Sequence, residues 1–300
     1  MSEYHIPVLL RESVDALEIK DGGIYVDATL GGGGHTREIL SRMGPSSKLV
    51  VFDQDSDAIE NAPKDSRIIT VHNNFRFIAN FIRYHKIEKV DGILADLGVS
   101  SHQFDTPERG FSFRFEAPLD MRMNNTGGIS AAEIINEYPV EELTRIFREY
   151  GEIEKSRAIA VQICTARQSR RISTTTDLNN AVEKFLPANA EHKFLAKLYQ
   201  ALRIEVNGEM RTLEMFLKGA CKTLAKGGIM SIITYHSLED RIVKNFFKSG
   251  NADGKSESDI YGRKDSPFEL VNRKPILPDE QEISMNTRAR SAKLRIARKL

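Results

Sequence analysis

An α/β sheet domain interrupted by an all-helical insert is the fold class this sequence predicts. Three observations carry it. Short β-branched apolar runs alternate with helix-period segments over the first hundred residues, the alternation stops from about Gln103 to Arg203, and it resumes near residue 229. Taken in order, Ile24–Leu30, Leu49–Asp53, Arg67–Val71 and Asp91–Leu97 read as buried strands. Ile39, Leu40 and Met43, then Ile78, Phe81 and Ile82, recur at helix spacing between them. In the middle third, Ser130 with Glu133 and Thr174 with Asp177 fit the capping-box spacing, in which a hydroxyl and a carboxylate satisfy orphan amides at a helix start. Leu213–Leu224 reads as a helix stopped by Gly227 and Gly228, and Ile229–Tyr235 as a strand. Phe268–Ile276 and Ser291–Lys299 alternate like strands, the last with Ala292, Leu294 and Ile296 on one face against Lys293 and Arg295 on the other. Seven strands are therefore expected, with the insertion after the fourth. The organisation is 1–104 for the first part of the sheet domain, 105–205 for the insert and 206–300 for the second part. The Gly-, Ser-, Asp- and Lys-rich stretch Ser249–Ser266 reads as a mobile surface loop.

Composition narrows the function classes. A chain of 300 residues can bury a full core without disulfides, and 40% hydrophobic with 28% charged residues is the balance of a soluble globular protein. The formal net charge is +1, so nucleic acid could be held only through local basic patches. Cys164 and Cys221 form no CxxC pair, which argues against a thiolate metal site and for a cytoplasmic setting. The opening MSEYHIPVLLRESVDAL lacks the apolar run of a signal peptide, and no stretch approaches the roughly 18 apolar residues of a membrane span.

The most informative segment is Val26-Asp27-Ala28-Thr29-Leu30 running into Gly31-Gly32-Gly33-Gly34-His35 and a helix. Four glycines at a strand-to-helix turn remove every Cβ that would hold a ligand off the backbone, and the helix start offers amides to a negative group. The next strand closes on Asp53, about 20 residues on, where an acid commonly takes two ribose hydroxyls. Together these point to a nucleoside cofactor. A dinucleotide fits less well, because G-x-G-x-x-G started at Gly31 meets Thr36 and started at Gly32 meets Arg37. An S-adenosylmethionine site would use the same frame with Asp53 on the ribose, Asn74 and Phe75 near the adenine, and Asp96 at the end of the fourth strand. The plainer alternative is a tight connection with Asp53 as a cap and Phe75 as core.

Nine motifs in order resemble one family: HIPVLL at His5, DATLGGGGHT at Asp27, FDQD at Phe52, ADLGVSSHQFD at Ala95, RGFSFR at Arg109, PLDMRM at Pro118, LRIEVNGE at Leu202, TYHSLEDRIVK at Thr234 and SAKLR at Ser291. The resemblance is to the bacterial 16S ribosomal RNA cytosine-N4 methyltransferases, the RsmH or MraW family. It implies a class I S-adenosylmethionine-dependent methyltransferase fold, a Rossmann-like seven-stranded sheet with an inserted helical domain for substrate recognition. It also implies 16S rRNA in the small ribosomal subunit as substrate, with no membrane. The cofactor contacts it implies are Gly33, Gly34, His35, Asp53, Phe75, Asp96 and Gln103. Many amino-methyltransferases carry an Asp or Asn followed by Pro-Pro-aromatic after the fourth strand. Here the run is Asp96-Leu97-Gly98-Val99, so the residue roles of those enzymes do not transfer.

Cytosine N4 is a poor nucleophile, since its lone pair is delocalised into the ring. Methyl transfer therefore needs an acceptor for the amine proton and an in-line approach. Asp96 is the expected acceptor, with a role in cofactor binding alone as the alternative, and Asn207 and His236 are candidates for orienting the base. Ser237 reads as a helix N-cap, with Asp240 three residues on. His5, His35, His102 and His236 show no short ligand spacing with a thiolate, so no metal is expected. For RNA, Arg109-Gly110-Phe111-Ser112-Phe113-Arg114-Phe115 interleaves cations and aromatics, with inward-packed phenylalanines as the alternative. Arg167, Arg170 and Arg171, and the C-terminal Arg288, Arg290, Lys293, Arg295, Arg298 and Lys299, are candidate phosphate contacts. Rival readings are a methyltransferase acting on a small molecule or protein, and a ribosome-assembly factor that binds the cofactor without turnover. A homodimer is left open.

Overall fold

The computed structural model of the chain describes residues 7–255 and 266–300. It divides into two units, Met1–Gly98 with Met210–Leu300, and Val99–Glu209. The second unit is thus slightly longer than the expected 105–205. Its last helix, Glu191–Asn207, continues to Gly208, whose φ of 56° ends it, and Ser100 caps its first, Ser101–Asp105.

The first unit holds seven strands: β1 Ile24–Asp27, β2 Lys48–Asp53, β3 Ile68–His72, β4 Val90–Asp96, β5 Leu224–Thr234, β6 Phe268–Leu270 and β7 Lys293–Lys299. Their order is β3-β2-β1-β4-β5-β7-β6. β1 to β5 run parallel, while β7 is antiparallel to β5 and β6. The order reverses between β1 and β4. The carboxyl ends of those neighbours are where an open α/β sheet leaves a crevice for ligands.

The continuous apolar runs follow from burial on both faces. Along β2, Val50 and Phe52 join one core cluster with Val26, Ile93 and Met230, while Leu49 and Val51 join the other with Tyr25, Leu94 and Ile233. The helix Glu209–Thr223 lays Leu213, Phe216, Leu217 and Ala220 on the first of these faces, an i, i+3, i+4, i+7 stripe.

Three expected elements differ. Gly227 and Gly228 do not stop the preceding helix, which already ends at Thr223. They lie where pairing jumps from Leu224↔Val90 to Ile229↔Gly92, and Gly227 has φ of 80°, so they form an irregular bend near the start of β5. The expected strand Phe268–Ile276 pairs regularly only to Leu270. Beyond it the Asn272 carboxamide accepts from Ile296 N–H and donates to Leu294 O, taking backbone partners a ladder would use, and Pro275 has no N–H to offer. In β7, Arg295 is buried rather than outward, because Asp240 meets its guanidinium at 2.6 Å. Of the expected loop Ser249–Ser266, residues 256–265 lie outside the described residues.

The second unit is helical, with Ala131–Glu137, Val140–Glu149, Ser156–Ser169, Thr175–Val182 and Glu191–Asn207 around a separate core that includes Ile134, Ile146, Phe147, Ile163, Leu178 and Leu198. Both expected capping boxes are formed. Among the described residues, no helix is long and apolar enough to cross a membrane.

Candidate active site

The glycine turn connects β1 to the helix Gly34–Arg42. Two of its glycines are required for different reasons. Gly33, the N-cap, has φ of 74°, a left-handed conformation that costs other residues about 1–2 kcal/mol. Gly34 is ordinary in φ, but a Cβ there would lie 2.1 Å from Pro7 Cγ. Its missing side chain is thus explained by the chain's own N-terminal segment as well as by any ligand.

Asp53 closes β2 and is tied to the turn. Its Oδ2 accepts from Gly31 N–H at 2.9 Å and its Oδ1 from Asp55 N–H at 2.9 Å. Burial pushes its carboxyl up, and these amides oppose the rise. The Gln54 amide is a third donor, so a carboxylate that accepts about four hydrogen bonds keeps room for about one sugar hydroxyl. At the end of β3, Asn74 donates to Gln54 Oε1 at 2.7 Å and accepts from Arg76 N–H, which fixes the start of the turn carrying Phe75. Phe75 is half-buried, edge-on to Phe216 with centroids 5.0 Å apart. The expected adenine wall is therefore also a core residue.

The acids and histidines converge at the ends of β1, β4 and β5. Asp96 ends β4. Its N–H donates to Thr29 Oγ1 at 2.7 Å, and Tyr235 O–H donates to its Oδ1 at 2.7 Å. Its Oδ2 lies 3.8 Å from His35 Nδ1. Burial pushes the Asp96 carboxyl up to about 7; the Tyr235 hydrogen bond opposes this, while Glu239 and Glu282 add to it. His35 Nε2 meets Val8 O at 3.1 Å, and a carbonyl only accepts, so Nε2 carries the proton. Burial lowers the His35 pKa, so the ring is neutral near pH 7 and its Nδ1 lone pair faces Asp96. Asp27 is fully buried, accepts from Thr36 Oγ1 at 2.6 Å and from Thr29 N–H at 3.1 Å, and is pushed up to about 6 by that burial.

Asp27, Thr29 and Tyr235 were missed as site residues by sequence reasoning. Asp27 had a usable signal, an acid inside a buried strand. Tyr235 had none, standing beside the more conspicuous His236.

His236 is itself the N-cap of the helix Ser237–Ser249; Ser237 is the first helical residue rather than the cap. The His236 side chain is 8% exposed, its Nε2 lies 3.2 Å from Glu239 Oε1, and neither ring nitrogen makes a hydrogen bond. Glu239 Oε2 instead accepts from Tyr235 N–H, and Asp240 is committed to Arg295.

Gln103 and Asn207 lie in the second unit. Gln103 forms a capping box with Ser100. Asn207 donates to Met121 O and Arg203 O and accepts from Met123 N–H, so its amide holds the 121–123 loop in place rather than standing ready for a base. Much of the expected RNA-binding run is internal as well. Phe111 is buried, Arg109 donates to Arg122 O and Met123 O, and Phe113 is edge-on to Tyr199; within the run only Arg114 and Phe115 are exposed. The basic runs are partly spent, with Arg170 and Arg171 still exposed beside loosely placed acids. Arg167 donates to Ile135 O and Tyr138 O, Arg170 and Arg171 face Asp177 and Glu137, Lys293 shares Asp240 with Arg295, Arg298 pairs with Glu18, and Lys299 donates to Cys221 O and Leu224 O. Arg288 and Arg290 are exposed.

Asp53 and Asp96, at the carboxyl ends of β2 and β4 beside the glycine turn, offer an ionised counter-charge to a positive ligand group and like charge to a pyrophosphate, which agrees with the missing dinucleotide spacing. The sequence matches the MraW methylase family over residues 2–300. The chain belongs to that family. It is 53% identical over 298 residues to the ribosomal RNA small subunit methyltransferase H of Flavobacterium johnsoniae, covering 99% of this chain and 98% of that one. With the protein of the same name from Flavobacterium psychrophilum it shares 55% identity over 291 residues, 97% of this chain and 100% of the other. Among solved structures, an rRNA methylase from Streptococcus thermophilus overlays with a TM-score of 0.43 at 13% identity, covering 99% of each chain. As a member of the MraW methylase family the chain is an α/β methyltransferase using S-adenosylmethionine, and the bare turn, Asp53 and the buried acids fit that cofactor.

Proposed function

We propose that this protein methylates small-subunit ribosomal RNA on the exocyclic N4 amine of a cytidine. Relatives over half identical across nearly the whole chain support the ribosomal substrate. The family resemblance read in the sequence supports cytidine N4. Action on ribosomal subunits would also support a cytoplasmic setting.

The observation that carries the chemistry is Asp96, an acid at the carboxyl end of β4 with one oxygen held by Tyr235 and a carboxyl that takes up a proton near pH 7. S-adenosylmethionine, when bound, supplies an electrophilic methyl on a positive sulfur. The backbone at Gly33 and Gly34 and the side chains of Asp53 and Phe75 hold the cofactor, Asp53 through its unused lone pair. The N4–carbon bond would form as the methyl's bond to sulfur breaks, with the sulfur leaving as a neutral thioether, and Asp96 Oδ2 would take the amine's surplus proton. His236, with both ring nitrogens lacking hydrogen bonds, orients the base. Gln103, committed to its capping box, is given no part. The helical unit serves RNA recognition, with the exposed Arg114 and Phe115 as contacts.

Methyl transfer to small subunits from cells lacking the protein tests this reading. Label recovered as N4-methylcytidine supports it. Label elsewhere, or subunit binding without transfer, overturns it.

A further inference from the structure

We propose that Tyr235 is the positioning residue for the proton acceptor: by holding Asp96 Oδ1 it leaves Oδ2, beside the His35 lone pair, as the oxygen that receives the amine proton. The inference deepens the reading of Asp96 given above and rests on it.

Three contacts carry it. Tyr235 O–H donates to Oδ1 at 2.7 Å, which sets the carboxylate's rotation. Tyr235 is held in turn through its backbone, whose N–H donates to Glu239 Oε2 at 2.9 Å, and its ring packs with the Leu94 and Ile233 side of the core. On the other side, Oδ2 lies 3.8 Å from His35 Nδ1, and the Val8 carbonyl keeps the imidazole proton on Nε2. An ionised Oδ2 therefore faces a lone pair, and a proton arriving on Oδ2 relieves that opposition. The two carboxylate oxygens are thereby made unequal, and the proton moves from the methylated amine to Oδ2 with no other group oxidised or reduced.

The titratable groups facing Asp96 are Tyr235 at the end of β5, His35 in the helix Gly34–Arg42, Asp27 in β1, Glu239 in the helix Ser237–Ser249, and Glu282 in the helix Glu280–Met285. Of the groups acting on Asp96, Tyr235 favours its ionised form, and the acids Glu239 and Glu282 oppose it, while Asp27 is itself raised by Asp96. Removing the phenol should therefore make Asp96 harder to ionise.

The test is the pH–rate profile of Tyr235→Phe. Turnover should fall about tenfold and the acid limb should move up by about one pH unit, the size of one hydrogen bond to a charged group, while cofactor affinity by calorimetry stays within about twofold of wild type, as expected for a residue that does not touch the cofactor. Unchanged turnover with an unmoved limb overturns the proposal. Site-specific 3-fluorotyrosine at position 235, a stronger donor of nearly the same shape, covers the case in which Tyr235→Phe fails to fold. It should move the limb down, and an unmoved limb overturns the proposal equally. Asp96→Asn separates the two layers. If it turns over normally, Asp96 is not the acceptor. If it is inactive while both Tyr235 variants keep the wild-type limb, only the positioning role falls.

Discussion

The two units treat their part-buried and buried polar groups differently. In the helical unit those groups complete one another: Ser130 with Glu133, Thr174 with Asp177, Arg203 with Glu209 at 2.8 Å, and Asn207 with three backbone groups. In the sheet unit, Asp27 is a buried acid and Asp96 a part-buried one, pushed up to about 6 and about 7, and His236 has two buried ring nitrogens without a hydrogen bond. Burying acids and an imidazole costs folding energy, and their concentration at the strand ends is the ground for the proton-transfer site proposed above.

The sharpest way to break that contrast is Asp96→Asn. Turnover should fall by about a hundredfold or more with little change in cofactor affinity, and the wild-type rate should rise with pH through about 7, since Asp96 must be ionised to accept. A flat profile between pH 6 and 8 would remove Asp96 from the mechanism. In the helical unit, Phe147→Ala empties a fully buried site and should cost about 3–5 kcal/mol by denaturant unfolding of that unit. Cofactor binding by calorimetry should survive it, and parallel loss would show that the units do not behave separately.

Asp53→Ala leaves the Gly31 and Asp55 amides without their acceptor and should weaken cofactor binding by about tenfold or more, the size of one lost charge-assisted hydrogen bond. Asp27 gives a pH test. Its folded pKa, about 6, exceeds the unfolded value, so the folded state binds more protons and stability contributed by Asp27 is lost as pH rises toward and through 6. Thermal midpoints across that window should show a shallower decline in Asp27→Asn. The smallest effect is Thr174→Ala, expected to cost about 1 kcal/mol through the lost cap, with turnover unchanged.

Local chemistry was legible wherever one short segment decided the outcome. Val50 against Val51 announces a strand buried on two faces, Ser130-x-x-Glu133 a helix start, and the glycine run with Asp53 a bare turn beside an acid. Long-range partners were not legible. Arg295 looks like an outward cation until Asp240, 55 residues earlier, is found against it, and Phe111 looks like a stacking platform until it is seen buried. Tyr235 drew no attention because its partner, Asp96, is 139 residues away.

The amino-acid order alone determined the strand and helix periods, the turn that admits a nucleoside and the family, because each depends on side chains within a few positions of one another. Only the tertiary structure decided which cations remain exposed, that Gly34 makes room for Pro7, and that Tyr235 and His35 flank Asp96. Those outcomes depend on burial and on partners distant in sequence, and a group's affinity for a proton is set by its surroundings in space rather than by its neighbours along the chain.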